Sequence, residues 1–197
     1  MLTLYKRGVD MENVTQSEAS ILKITDNVNL PGVLKGRYFF LSKRVVELPP
    51  GFHGYLVVGG KQKVKAELNN VVFLGDEFSY LDSGDVIRYD PEKLSITVLY
   101  RRTSPNNYFL ITERCNSFCL MCSQPPRNIQ DDYHVDDILQ TLPLIDRGTC
   151  EIGLSGGEPT LIGERLVYLI KQFKNHLPHT ALHILTNGRL FANHGYA

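Results

Sequence analysis

The chain has 197 residues, 21 Lys and Arg against 21 Asp and Glu, and 43% hydrophobic residues. That aliphatic and aromatic content at zero net charge excludes a disordered tail protein, and the balance leaves no cationic excess for neutralising nucleic-acid phosphates. No apolar run reaches the roughly 18–20 residues of a membrane span, and Met1–Arg7 lacks the apolar region of a secretory signal. The expectation is therefore a cytoplasmic protein with neither a membrane nor a nucleic-acid partner.

The first hundred residues read as short strands separated by turns. Ile21–Thr25, Arg37–Leu41, Tyr55–Val58, Val71–Leu74, Val86–Tyr89 and Ser95–Tyr100 are rich in Val, Ile, Leu and aromatics. Asn29-Leu-Pro-Gly, Pro49-Pro-Gly, Gly59-Gly, Asp82-Ser-Gly-Asp and Asp90-Pro-Glu-Lys punctuate them. In the last of these, Pro91 is pre-set for the second position of a hairpin turn. The pattern predicts a small, mostly antiparallel β-rich domain over residues 1–103. His53 and Asp85 stand alone there and read as loop and turn residues. The polar run Arg101–Asn107 is the expected domain boundary.

From residue 104 to 197 the pattern changes to strand, loop, helix, repeated. Tyr108–Thr112, Glu151–Leu154 and Ala181–Leu185 read as strands. His134–Arg147, with Pro143 as a kink or break and Gly148 as its C-cap, and Gly163–Leu177, stopped by Pro178, read as helices. This alternation implies right-handed βαβ crossovers and a parallel sheet, an α/β architecture whose ligands gather at the carboxyl ends of the strands.

Three motifs fall at those ends. The first is Cys115-Asn-Ser-Phe-Cys119-Leu-Met-Cys122, a C-x3-C-x2-C loop after the first strand. Three thiolates on one loop can hold three irons of a cubane cluster and leave the fourth open to a small molecule. The rival reading is a non-catalytic structural zinc module, with His134 as the fourth ligand of a closed tetrahedron. The second motif is Gly156-Gly157-Glu158-Pro159 after the second strand, where two glycines let the backbone approach a ligand closely. The third is Thr186-Asn187-Gly188 after the third strand, a turn that is also a candidate cofactor or substrate contact. Cys150 reads as a small buried hydrophobe. Arg114, beside Cys115, reads as a solvated side chain or a partner for cluster charge.

At Cys115, Cys119, Cys122 and the Gly156–Pro159 turn the chain resembles the radical S-adenosylmethionine superfamily, over residues from about 108 onward. The resemblance implies the first half, about three βα units, of a partial parallel (β/α) barrel. It implies a [4Fe-4S] cluster on Cys115, Cys119 and Cys122, with S-adenosyl-L-methionine chelating the open iron. Gly156, Gly157, Glu158 and Pro159 would lie at the methionine amino group, and Thr186 and Asn187 near cofactor or substrate. Reductive cleavage would then yield a 5′-deoxyadenosyl radical, the cofactor carrying the difficult chemistry. Many members have an aromatic residue before the third cysteine, beside the adenine; Met121 stands there, with a thioether that can also pack on a ring.

The run Tyr108-Phe-Leu-Ile-Thr-Glu-Arg-Cys-Asn-Ser-Phe-Cys-Leu-Met-Cys-Ser-Gln-Pro-Pro126, together with the β-rich leader, also resembles the maturases of the His-Xaa-Ser repeat peptide system (HxsC type). That resemblance implies a ribosomally made peptide substrate, a partner maturase and an external electron donor. It also suggests peptide recognition by the leader, through strand addition at a sheet edge; the leader acting alone as a peptide-binding module is a third reading. Measured against such enzymes the chain is expected to be C-terminally truncated and unable to turn over unaided.

Overall fold

The computed structural model describes residues 4–43, 48–61, 68–122 and 125–195. Contacts divide the chain into two compact units, Met1–Thr103 and Ser104–Ala197. The architecture is mixed α/β, with one sheet in each unit.

The N-terminal unit contains β1 (Tyr5–Arg7), β2 (Asp10–Glu12), β3 (Ser20–Thr25), the single helical turn α1 (Gly32–Lys35), β4 (Tyr38–Ser42), β5 (Gly54–Val58), β6 (Val71–Leu74), β7 (Val86–Asp90) and β8 (Ser95–Tyr100). They form one eight-stranded sheet in the order β1-β8-β7-β3-β4-β5-β6-β2. The sheet is mixed, which corrects the expectation of a mostly antiparallel domain. The pairs β3–β4, β4–β5 and β5–β6 are parallel, while the flanking pairs are antiparallel. The expected Asp90–Lys93 turn does close an antiparallel hairpin, with Asp90 opposite Ser95.

The sequence carried the parallel signal in its burial pattern. Tyr55–Val58 and Val71–Leu74 are unbroken apolar runs, and every residue of β5 and β6 is buried. Strands covered on both faces read this way, whereas half-covered antiparallel strands alternate. Residues alternate between two apolar clusters. Phe39, Leu41, Leu56, Val58, Val72 and Leu74 join Ile24, Ile87, Tyr89, Ile96 and Val98 in one. Phe40, Tyr55, Val57, Val71 and Phe73 face the other way and are covered by Phe52, Leu68 and Leu30, from the crossovers and the segments that flank the strands.

The outermost strands, β1 and β2, are joined by only Gly8 and Val9. Arg7 and Asp10 are thus three Cα steps apart, at most about 11 Å, whereas eight flat strands would set their edges roughly 34 Å apart. The sheet must therefore curl until its edges meet. Gly8, at φ 65°, makes the turn, and Val9 is buried in the larger cluster. The closing segment bonds first to one side and then to the other: Val98 N donates to Leu4 O at 2.7 Å, Val9 N to Leu94 O at 3.0 Å, and Asn70 N to Asn13 O at 2.9 Å. Asp85 is a fully buried turn carboxylate, accepting from the backbone N–H of Asp82 and Arg102. His53 is half-buried with its ring 5.5 Å from that of Phe39.

The C-terminal unit contains β9 (Tyr108–Thr112), α2 (Tyr133–Thr141), β10 (Glu151–Gly156), α3 (Glu164–His176) and β11 (Ala181–Ile184). The sheet is parallel throughout, in the order β11-β10-β9. Val135 and Ile138 of α2 and Leu166, Leu169 and Phe173 of α3 are buried at helical spacing. Helix α2 packs on β9 and against α3, so the two helices share a layer. Pro143 ends α2 early, in a 3-10 turn over Leu142–Leu144. Gly148 is therefore no helix cap; it donates to Asp146 Oδ1 in the next turn.

Packing inside the curl leaves no room beside Gly54. A Cβ there would lie 2.3 Å from Phe39 Cε1 and 2.8 Å from Asn70 O. Gly54→Ala is expected to destabilise the protein by about 1–3 kcal/mol. Gly32→Ala, with nothing within 4 Å, should stay within about 0.5 kcal/mol of wild type. Thermal melts of the two variants check this; equal melting temperatures would refute it.

Candidate functional site

Strands of a parallel sheet point the same way, so the segments after Thr112, Gly156 and Ile184 share its carboxyl edge. The cysteine loop, the Gly-Gly-Glu-Pro turn and the Thr-Asn-Gly turn are those segments. The structure brings all three together.

The two glycines are required by a neighbour within the chain. A Cβ on Gly156, where φ is 154°, would lie 2.3 Å from Thr112 O, and one on Gly157 would lie 2.1 Å from Arg114 O. At that distance the turn hydrogen-bonds the strand that leads into the cysteine loop. Gly157 N donates to Thr112 O at 2.7 Å and Glu158 N to Arg114 O at 2.8 Å. These two amides are committed to the chain's own backbone. Gly157 also abuts the first ligand candidate: its hypothetical Cβ lies 3.1 Å from Cys115 Cβ.

Glu158 is fully buried and receives four hydrogen bonds. Its Oε1 accepts from Thr160 N at 3.0 Å, Thr160 Oγ1 at 2.6 Å and Thr186 Oγ1 at 2.6 Å, and its Oε2 from Asn187 N at 2.7 Å. Burial alone would raise its pKa, but these donors outweigh burial and hold the carboxyl below its ordinary value of 4.5. The side chain is thus a tie between the β10 and β11 ends. Pro159 is buried and opens a 3-10 turn over Pro159–Ile162.

A second buried carboxylate was not singled out from the sequence. Asp131, with no exposed surface, lies in the segment before α2. Its Oδ2 accepts from Thr112 Oγ1 at 2.9 Å and from Glu113 N, and its Oδ1 from Arg114 Nε at 3.0 Å. Burial pushes its pKa up; the Glu113 amide, the Thr112 hydroxyl and the Arg114 charge pull it down further, leaving it lowered. Arg114 is not simply solvated: it is paired with Asp131 and, at 3.4 Å, with Asp132.

The cysteine loop changes character along its length. Cys115 is half-buried, whereas Cys119 and Cys122 are exposed, with Cys122 N donating to Cys119 O at 3.0 Å. Phe118 is 88%, Leu120 105% and Met121 96% exposed. Ser123 and Gln124 of this run lie outside the described residues. Among the described residues, no three Cys, His, Asp or Glu side chains are grouped as metal ligands. His134 stands with its Nε2 3.9 Å from Glu113 Oε1 and its ring against Tyr133. Cys150 is exposed, which corrects its reading as a buried hydrophobe; it sits in the turn leading to β10.

No protein-family model matches the chain, and the searches of curated proteins and of solved structures found no match either. No helix among the described residues is long and apolar enough to cross a membrane.

Because the folded carboxyl of Glu158 titrates below its ordinary value, its stabilisation is complete above pH 4.5 and is lost as pH falls through the lowered value. Glu158→Gln turns one acceptor into a donor facing other donors, and is expected to cost about 1–3 kcal/mol at neutral pH. The deficit should shrink at acid pH, below the lowered value, where the wild-type carboxyl takes up its proton. Urea unfolding at both pH values checks this, and an equal deficit at both would refute it.

Proposed function

We propose that the chain carries the cluster-binding part of a radical S-adenosylmethionine enzyme that modifies a ribosomally made peptide in the cytoplasm. The observation that carries this reading is the hydrogen-bonded contact between its two hallmark segments. The Gly-Gly-Glu-Pro turn lies directly on the strand end that leads into the C-x3-C-x2-C loop, with Gly157 against Cys115. Two motifs recognised separately, some 35 residues apart in the chain, thus form one patch at the carboxyl edge of a parallel sheet, where such folds place ligands.

The donor set fits a [4Fe-4S] cluster with one open iron. Three thiols and no fourth protein ligand fall on one short loop, and a sulfur set of this kind selects iron–sulfur clusters or zinc. Cys115, Cys119 and Cys122 would hold the cluster, which on reduction would supply the electron that cleaves S-adenosylmethionine. The chain's own residues bind and orient. Gly157 and Glu158 fix the turn against the loop, and Thr186 and Asn187 fix Glu158. Met121 and Phe118 offer apolar surface beside the thiols for an adenine ring. In this reading the three-stranded sheet is the first part of a (β/α) barrel, served by an external electron donor and a partner maturase. The N-terminal unit recognises the peptide by strand addition.

Anaerobic reconstitution with iron and sulfide tests the reading. The expected product is a brown protein with broad absorption near roughly 400 nm, perturbed by added S-adenosylmethionine and lost in Cys119→Ala. A colourless protein that retains one tightly bound zinc would overturn it in favour of a structural zinc site.

A further inference from the structure

The segment that carries the three thiols leaves and re-enters the fold through one neck. Arg127 N donates to Glu113 O at 3.1 Å, and Arg127 Nη1 to Glu113 Oε2 at 2.9 Å. Residues 114–126 therefore begin and end at the same place. Joining the ends of a loop removes conformational freedom that a ligand would otherwise have to remove.

The buried carboxylate of Asp131 binds each residue on the outgoing side of this neck. It accepts from the Thr112 hydroxyl, the Glu113 amide and the Arg114 guanidinium. Thr112 uses its hydroxyl in full. It gives its hydrogen to Asp131 Oδ2 and accepts from Arg114 N at 3.1 Å and Arg114 Nε at 3.3 Å. Asp131 is itself anchored: its O accepts from His134 N at 3.1 Å in the first turn of α2, and α2 packs on β9. Three donors on one buried group require a carboxylate. Whichever way an amide were turned at position 131, its NH2 would meet the Glu113 amide or the Arg114 guanidinium, donor against donor.

We infer that Asp131 and Thr112 are positioning residues for the cluster: their hydrogen bonds to each other, to Glu113 and to Arg114 set where Cys115, the first thiol, stands. The inference rests on the cluster reading proposed above. Asp131 and Thr112 act through the main chain of residues 112–114 and not as ligands. With Gly157 N on Thr112 O and Glu158 N on Arg114 O from the other side, these three residues are held from two flanks, up to the peptide bond that leads into Cys115.

The full-length chain and its Asp131→Asn, Thr112→Val and Thr112→Ser variants test it. Thr112→Val keeps the shape of the side chain and loses the hydroxyl; Thr112→Ser keeps the hydroxyl and loses the methyl. In iron-free protein, alkylation of Cys115 should quicken severalfold in Asp131→Asn and Thr112→Val. Alkylation of Cys150, exposed and outside the loop, should stay unchanged and so report that the fold is intact. After anaerobic reconstitution with iron and sulfide, the same two variants should release iron to a chelator about tenfold faster than wild type. Thr112→Ser should match wild type in both measurements, because the hydroxyl makes the bonds. If Asp131→Asn does not fold, the two Thr112 variants decide. A wild type that loads iron, with the folded variants matching it in iron release and Cys115 alkylation, overturns the positioning role alone; so does a Thr112→Ser that behaves like Thr112→Val. A wild type that loads no iron overturns the functional reading and with it the positioning role.

Discussion

A buried carboxylate holds the C-terminal unit to one arrangement of its strand ends. Removing a charge from water costs several kcal/mol unless donors replace the lost solvent. Glu158 meets that demand from two places in the chain, its own turn through Thr160 and the end of β11 through Thr186 and Asn187. Its own turn serves only Oε1, and the donor to Oε2 comes from the end of β11. The charge is satisfied only when β10 and β11 end side by side, and its own amide then binds Arg114 O, at the foot of the cysteine loop. One residue thereby registers three segments.

The two glycines before it follow from the same constraint. For Glu158 to be seated, the turn must lie within hydrogen-bonding distance of Thr112 and Arg114, and at that distance any Cβ would strike a carbonyl oxygen. Asp131 works from the opposite flank, drawing in the amide, hydroxyl and guanidinium of the residues just before Cys115. A charge buried with hydrogen bonds on both oxygens resists displacement, since breaking one partner leaves the rest of the charge unsolvated. The base of the loop is therefore stiff for electrostatic reasons.

Much of this was legible in the sequence, and the exceptions have physical causes. Six strands of the N-terminal unit and all three of the C-terminal unit announced themselves, because apolar runs bounded by turn residues have few other uses. Tyr5–Arg7 and Asp10–Glu12 did not, since their pairing is imposed by closure of the sheet and not by three residues of mixed polarity. Parallel pairing was encoded in the unbroken runs of β5 and β6, but a buried run names a covered strand without naming its direction. The motif positions were visible; their hydrogen bonds were not. Asp131 carried no local signal: its partners are 17 to 19 residues away in sequence.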